Sequence, residues 1–315
     1  MSELHVVLGT GAIGRAIMEE LLRQGKEVRM VNRSGSMPEA PSGLQVVAVD
    51  LYDPVGVQEV THGAAVVYQS TQPNYTQWPE FFPSLQDSII TGVAANGAKL
   101  VLVENMYVYG RTNGTPMTED TPHHANTRKG KTRSKMNKDA LTAHQEGKLR
   151  MVIGRGSDFF GPWGLSSTMG ERVFYPLLEG RAAQATGRLD LPHTHTYTRD
   201  FGKALVILGE SDKADGQVWH VPNDMPHITQ GELIRMFAEE AGVEPKMNGL
   251  GKLMMRIGGL FVPEAKETVE MMYEFDQPFI VDSSKFETAF GMKATPMREA
   301  IKDTVAWYKS HPRVS

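Results

Sequence analysis

Short apolar runs alternate with amphipathic stretches along the first half of the chain. Short, mostly apolar runs are typical of buried parallel strands, and apolar residues spaced by three and four indicate helices. Strands are predicted at residues 4–8, 28–31, 45–49, 64–69, 99–104 and 150–154, and helices at 15–25, 53–61, 78–96 and 134–146. Strands that alternate with helices form a parallel sheet covered on both faces. The pattern therefore predicts an α/β fold with a doubly wound parallel sheet of the Rossmann type.

The pattern changes after Gly161-Pro162. Helical stretches at 166–180, 229–242 and 263–275 dominate the second half, and only 218–221 has the pattern of another sheet strand. We therefore expect a Rossmann domain over residues 1–163, with its sheet completed by 201–222. Residues 164–200 and 223–315 are expected to form mainly a smaller substrate-binding cap.

Composition excludes several classes of function. The 315 residues carry a net charge of −4, which does not favour binding to nucleic acid or to membranes. The chain has no cysteine, so disulfides, thiolate metal sites and a cysteine nucleophile are excluded. No apolar run approaches the ~20 residues of a membrane helix. These features favour a soluble cytoplasmic protein with a small-molecule substrate.

A glycine pattern links the first strand to the first helix. The segment reads Gly9-Thr10-Gly11-Ala12-Ile13-Gly14, the G-x-G-x-x-G pattern of dinucleotide sites. Gly9 permits a tight turn, Gly11 leaves room for a pyrophosphate, and Gly14 lets helix and strand pack closely. The free N–H groups at the start of a helix attract phosphates. We therefore expect this loop, including Ala12 and Ile13, to bind a dinucleotide.

The end of the second strand indicates which dinucleotide. An acidic residue there would bind the ribose hydroxyls of NAD, but the chain has Asn32-Arg33-Ser34. A guanidinium matches a phosphate, so these three residues favour NADP over NAD. The alternative is that Arg33 only solvates the loop. After the third strand, Asp50 and Leu51 occupy the position that commonly flanks the adenine.

Further motifs lie beyond the glycine loop. They are Asp50-Leu51, Val108-Tyr109-Gly110, and the segments 117–122, 155–162 and 197–200. Together they resemble the extended short-chain dehydrogenase/reductase family, also called the NAD-dependent epimerase/dehydratase group. The resemblance implies catalysis by a Ser, a Tyr and a Lys, the last two spaced Tyr-x-x-x-Lys on one helix. In that family the Tyr exchanges a proton, the Lys binds the nicotinamide ribose, and the Ser polarises the carbonyl.

The sequence departs from this triad, because none of its nine tyrosines has a lysine four positions later. Aligning Ser134-Lys135 with the family's Ser-Lys puts Lys131 at the tyrosine position. Aligning Tyr109-Gly110 puts Asn105 at the serine position. Lys135 is then the ribose-binding residue, Asn105 the hydrogen-bond donor to the carbonyl, and Lys131 the candidate proton donor. The alternatives are that Lys131 is a solvated helix residue in a misaligned motif, or that the chemistry is lost.

Two neighbouring features bear on the same site. Tyr107 lies two residues beyond Asn105, on the same face if the strand extends that far, so it is a second candidate proton donor. The basic run 128–135 faces either an anionic cofactor or substrate, or solvent. His193 and His195 are interpreted as loop histidines, one of which is a candidate substrate contact. We assign no metal site.

These observations predict an atypical NADP(H)-binding short-chain oxidoreductase or epimerase-like enzyme acting on a small carbonyl or hydroxyl compound. The altered triad leaves open a non-catalytic NADP(H)-binding redox sensor. The resemblance also implies a homodimer.

Overall fold

A seven-stranded parallel sheet forms the centre of the computed structural model, which describes residues 3–261 and 263–313. The strands are β1 (Leu4–Leu8), β2 (Glu27–Asn32), β3 (Gln45–Ala48), β4 (Ala64–Gln69), β5 (Lys99–Glu104), β6 (Met151–Arg155), β7 (Asp158–Phe160), β8 (Ala183–Thr186), β9 (His195–Tyr197), β10 (Val218–His220) and β11 (Met247–Leu250). The sheet order is β10-β6-β5-β4-β1-β2-β3. This order confirms the predicted doubly wound fold, and β10 completes the sheet beside β6.

Helices cover both faces of this sheet. They are α1 (Ala12–Arg23), α2 (Pro54–Val60), α3 (Trp78–Ala94), α4 (Arg128–Gln145), α5 (Glu171–Leu178), α6 (Thr198–Glu210), α7 (Gln230–Ala241), α8 (Lys252–Gly258), α9 (Pro263–Thr268), α10 (Ser284–Phe290) and α11 (Met297–Ser310). Side chains of β1 alternate between the layers: Val6 and Leu8 pack with α2, α3 and α4, and Val7 packs with α1 and α6. The alternation explains why Val6, Val7 and Leu8 are all apolar although they face different layers.

Most predicted strands are confirmed within one or two residues. The predicted start of α4, in contrast, is wrong. The helix begins at Arg128 instead of residue 134. The Thr127 hydroxyl caps its start by accepting a hydrogen bond from the Gly130 N–H at 3.1 Å. The inward face of the first two turns carries Lys129 and Arg133, so it lacks the apolar periodicity that marks a helix.

The second half contains elements that the pattern did not predict. Two small parallel sheets, β7 with β9 and β8 with β11, join segments far apart in sequence. Helices α10 and α11 were also missed, and the predicted helix 263–275 divides into α9 and a 3-10 turn at Val269–Glu274. A separate core joins α5, α7 and α11 through Phe174, Phe237 and Tyr308. The predicted outer bounds, residues 1 and 315, lie outside the described residues.

Within the described ranges, no helix combines the length and the apolar character needed to cross a bilayer.

Candidate cofactor and active site

The carboxyl ends of the parallel strands meet at one edge of the sheet. There β1 lies beside β4. The sheet extends from this pair to β2 on one side and to β5 on the other. Such a reversal of strand order leaves a crevice in which α/β proteins bind their ligands. The glycine loop follows β1, and Asn105 follows β5, so both lie at this edge.

The glycine loop has the geometry of a phosphate cradle. Gly9 has a φ of +114°, which side-chain-bearing residues rarely adopt. A Cβ on Gly14 would lie 2.1 Å from the Gly9 carbonyl oxygen, so only glycine allows this close approach. A Cβ on Gly11 would meet nothing within 4 Å, and no side chain caps the start of α1. The N–H groups at this end thus face open space, which fits a pyrophosphate.

The other two predicted loop contacts differ from each other in burial. Ile13 is buried in the core shared by α1 and the sheet, whereas Ala12 is partly exposed. The side chain of Ile13 therefore packs against protein, so any contact of this residue with a cofactor would have to use its backbone.

Asn32 shapes the loop that follows β2. Its Oδ1 accepts hydrogen bonds from the N–H groups of Ser34 (3.0 Å) and Gly35 (2.7 Å). Its Nδ2 donates to the Thr10 hydroxyl at 3.1 Å and to the Ser36 carbonyl at 2.7 Å. The side chain thus joins this loop to the glycine loop, and its polar atoms are engaged within the protein.

Arg33 and Asp50 lie exposed near Tyr52 at the rim of the crevice. Burial and the charge of Asp50 raise the pKa of Tyr52, while the charge of Arg33 lowers it, so both charged groups lie near this phenol. Asp50 accepts a hydrogen bond from the Tyr52 N–H at 3.1 Å. Leu51 is buried in the core, so its side chain does not line the rim.

The structure places both predicted lysines of α4 at exposed positions. Lys131 is exposed, and the 67% exposed side chain of Lys135 pairs with Asp139 at 2.6 Å. The residues that face inward with the same four-residue spacing are Lys129 and Arg133. Contact with the segment after β5 fixes this rotation, because a Cβ on Gly130 would lie 2.7 Å from the Tyr107 carbonyl oxygen.

Lys129 is completely buried at the start of α4. Its ammonium pairs with Glu267 and, at 3.0 Å, with Glu270. It also lies 4.5 Å from the centre of the Tyr75 ring, within the range of a cation–π interaction. The Tyr75 hydroxyl lies 3.2 Å from that of Tyr107. Tyr75 thus links Lys129 to Tyr107, and Lys131 and Lys135 make no contact of this kind with the two tyrosines.

The phenols of this group keep their protons. Burial raises the pKa of Tyr75 and raises that of Tyr107 well above its usual range. Asn105 is half-buried and accepts a hydrogen bond from the Tyr107 N–H at 3.1 Å through Oδ1. Its Nδ2 is therefore the part of the amide left to donate to another group. The site can offer neutral O–H and N–H donors to a carbonyl oxygen.

Arg133 belongs to the protein interior. Its Nε lies 2.9 Å from a Glu104 carboxylate oxygen, and its guanidinium stacks on Trp78 and Phe82 at 5.2 and 4.5 Å. Burial raises the pKa of Glu104, and the charges of Arg133 and Arg155 oppose this rise. The sequence analysis did not predict this pair. A glutamate at the end of an apolar strand indicates a buried carboxylate, and such a carboxylate requires a cation beside it.

A second buried group of titratable side chains lies around β7 and β9. The Asp158 carboxylate lies 2.8 Å from Nε2 of His193, whose ring stacks on Phe275 at 4.9 Å. Glu274 is 2% exposed, and burial and then the charge of Asp158 raise its pKa well above its usual range. His195 is fully buried, which lowers its pKa. Within the described residues, no three such side chains are grouped to hold a metal ion.

Comparisons with known proteins agree with this architecture. A family model for the NAD dependent epimerase/dehydratase family matches residues 6–221. No curated protein matches the chain. The protein gox2253 has a similar structure, with 18% identity and a TM-score of 0.80 over the whole of both chains.

Two sugar-nucleotide epimerases also have similar structures. The UDP-glucose 4-epimerase of Thermus thermophilus in complex with NAD has 18% identity and a TM-score of 0.76, covering 97% of this chain and 99% of that chain. The UDP-glucose 4-epimerase of Thermotoga maritima with UDP-glucose has 16% identity and a TM-score of 0.78, covering 98% and 99%. At these identities the likeness shows the fold alone. Since the family match spans more than half of the chain, the protein belongs to the NAD dependent epimerase/dehydratase family.

Proposed function

We propose that the protein binds a nicotinamide dinucleotide and acts as an oxidoreductase or epimerase-like enzyme on a carbonyl or hydroxyl group of a small molecule. The observation that carries the proposal is the glycine cradle at the uncapped start of α1, where a Cβ on Gly11 would meet only open space. Family membership supports the same class of cofactor.

The proposal favours NADP(H) over NAD(H). Arg33 is exposed at the end of β2, where a guanidinium could pair with a 2′-phosphate, and no carboxylate occupies this turn. The Thermus thermophilus epimerase, in contrast, was solved with NAD. Titration of the purified protein with both coenzymes tests the preference, and tighter binding of NADH would contradict the argument from Arg33.

The chain's own residues would supply the rest of the chemistry. A bound nicotinamide supplies or accepts a hydride. Asn105 would donate a hydrogen bond from Nδ2 to the substrate oxygen, which stabilises developing negative charge. Lys129 would hold the proton exchanged with that oxygen, with the neutral phenols of Tyr75 and Tyr107 beside it. We assign this role to Lys129 in place of Lys131, because Lys129 lies over the ring of Tyr75, whose hydroxyl is 3.2 Å from that of Tyr107.

A pair of variants tests the assignment. NADPH consumption would be measured with a panel of aldehydes and ketones for Lys129→Met and, as the matched control on the exposed face of the same helix, Lys131→Met. We expect Lys129→Met to lower kcat by roughly 100-fold, the usual contribution of an acid–base group, with coenzyme affinity retained. Wild-type turnover by Lys129→Met would contradict the assignment.

A second candidate function is a redox sensor that binds NADP(H) without turnover. The burial of Arg133 and Lys129 favours it. A guanidinium paired with Glu104 and lying over Trp78 and Phe82 is not free to hold a nicotinamide ribose, and the Lys129 ammonium is likewise buried and paired with two carboxylates. Coenzyme binding without consumption across the carbonyl panel would support the sensor. The homodimer and the cytoplasmic location stay predictions, the first of which sedimentation of the purified protein would test.

A further inference from the structure

The segment that covers the start of α4 is strongly acidic. Residues 263–276 contain five acidic residues and one lysine. The start of α4, in contrast, reads Arg128-Lys129-Gly130-Lys131. The two segments lie more than 130 positions apart in the chain and meet in the fold, so their opposite charges face each other.

Two glutamates of this segment neutralise the cations at the start of α4. The Glu267 carboxylate binds the Arg128 guanidinium at 2.9 and 3.0 Å and also pairs with the Lys129 ammonium. The Glu270 carboxylate pairs with Lys129 at 3.0 Å and accepts a hydrogen bond from the Arg128 backbone N–H at 2.8 Å. The positive end of the helix and both cations are therefore matched by carboxylates of the protein itself.

The groove outside this cluster has a surplus of only one positive charge. It measures about 390 Å³, and its charged lining consists of Arg111, Arg128, Lys252, Glu270 and Asp276. Arg111 pairs with Asp276 at 2.8 Å, and Arg128 is held by Glu267. Among the side chains that the structure describes, Lys252 is the cation of this lining without a carboxylate in ion-pair distance. One exposed lysine offers little to a diphosphate.

Tyr273 is the aromatic residue in the lining of this groove. The Tyr273 hydroxyl lies 3.4 Å from the Glu274 carboxyl, and burial raises the pKa of Tyr273, as it does those of Tyr75 and Tyr107. Asp158 lies close enough to Glu274 for its charge to raise the pKa of that carboxyl. Tyr273 thus presents an apolar ring and a neutral hydroxyl to the groove, which suit an uncharged carbonyl compound better than an anion.

We propose that Glu267 and Glu270 are specificity-determining residues, and that they make the cap accept a small uncharged carbonyl compound and reject a nucleoside diphosphate sugar. The inference rests on the proposed function, whose reaction would occur beside Lys129. A diphosphate approaching the start of α4 meets carboxylates that already hold the cations it would need. Unfavourable like-charge contacts of this kind are an established way to exclude a competing ligand.

The experiment uses UDP-glucose as the anionic probe and benzaldehyde as the uncharged one. Binding of UDP-glucose would be measured by calorimetry on the protein saturated with its coenzyme, for wild type and for Glu267→Gln/Glu270→Gln. The matched control is Glu239→Gln/Glu244→Gln, which removes two exposed, paired carboxylates elsewhere and so makes the same change in net charge. We expect no binding by wild type or by the control, and a gain of roughly tenfold or more in affinity for the cap variant.

Asp276→Asn is a second variant in case the double substitution unfolds α9. Its ion pair with Arg111 is exposed, so the fold should tolerate the change. The released Arg111 should then raise the affinity for UDP-glucose, as the double substitution should. Tight binding of UDP-glucose by wild type, or no gain in either cap variant, overturns the inference. Turnover of benzaldehyde by wild type supports it. If neither NADPH nor NADH binds, the proposed function itself fails, which is a different result.

Discussion

His220 should make the folded protein sensitive to acid. Its ring is fully buried at the end of β10, where Nε2 accepts a hydrogen bond from the Tyr109 hydroxyl at 2.6 Å and Nδ1 donates to the Asp282 carbonyl at 2.9 Å. The Tyr109 hydroxyl in turn accepts from the Arg155 guanidinium at 2.6 Å. This chain of donors requires a neutral imidazole. Burial, and then the charge of Arg155, lowers the pKa of His220 from 6.5 to about 3.

The size of the effect follows from the difference between the pKa of His220 in the unfolded chain, 6.5, and its pKa in the folded protein, about 3. Between pH 6.5 and pH 3 the unfolded chain binds a proton at His220 and the folded protein does not, so the free energy of unfolding falls as the pH falls. Each pH unit is worth about 1.4 kcal/mol. The stabilisation is fully present above about pH 6.5, and about 2 kcal/mol of it is lost by about pH 5.

Urea unfolding at about pH 7 and about pH 5 measures this effect. Replacing His220 by Gln removes the titration, and it should lower the free energy of unfolding at about pH 7 by about 1–3 kcal/mol through weakened hydrogen bonds. The difference between wild type and His220→Gln should then shrink by about 2 kcal/mol at the lower pH. His62→Gln, at an exposed position, is the control and should follow wild type. A difference that is equal at both pH values would refute a neutral buried His220.

Three further outcomes are expected. Gly11→Ala should keep the melting temperature, because a Cβ there meets nothing within 4 Å, but should weaken coenzyme binding measured by titration; unchanged binding would contradict the cradle. Arg33→Ala should lower NADPH affinity by roughly 10-fold to 100-fold, the value of a charged hydrogen bond, and leave NADH affinity unchanged, which fluorescence titration checks. Lys99→Met should lower the free energy of unfolding, measured with urea, by about 3 kcal/mol. The substitution removes a buried ammonium that pairs with Asp215 and donates hydrogen bonds to two backbone carbonyls. A loss under about 1 kcal/mol would refute this.

The sheet and the glycine loop could be predicted because their signals are local. The strand 64–69 is apolar from Ala64 to Val67 since both of its faces are covered, and the roles of Gly9 and Gly14 follow from the absence of a Cβ. The start of α4 could not be predicted in the same way. The buried face of its first two turns carries Lys129 and Arg133 in place of apolar residues, so hydrophobic periodicity gave no indication that these turns are part of the helix.

The partners of these buried charges also lie outside the reach of local patterns. Glu267 and Glu270 are separated from Lys129 by 138 and 141 positions, and nothing in the acidic run itself indicates where it docks. The strands of the two small sheets have only three or four residues each, and their pairing depends on the tertiary fold. The crevice beside the glycine loop could therefore be predicted from the sequence. The two small sheets and the inward-facing Lys129 could be identified only from the structure.

Calorimetric titration of the purified protein with NADPH and with NADH tests the central claim most directly. We expect saturable binding of one coenzyme molecule per chain, with NADPH bound roughly 10-fold or more tightly than NADH. Absence of binding by both coenzymes would contradict the assignment of the loop Gly9 to Gly14 as a dinucleotide cradle, and with it the proposed function.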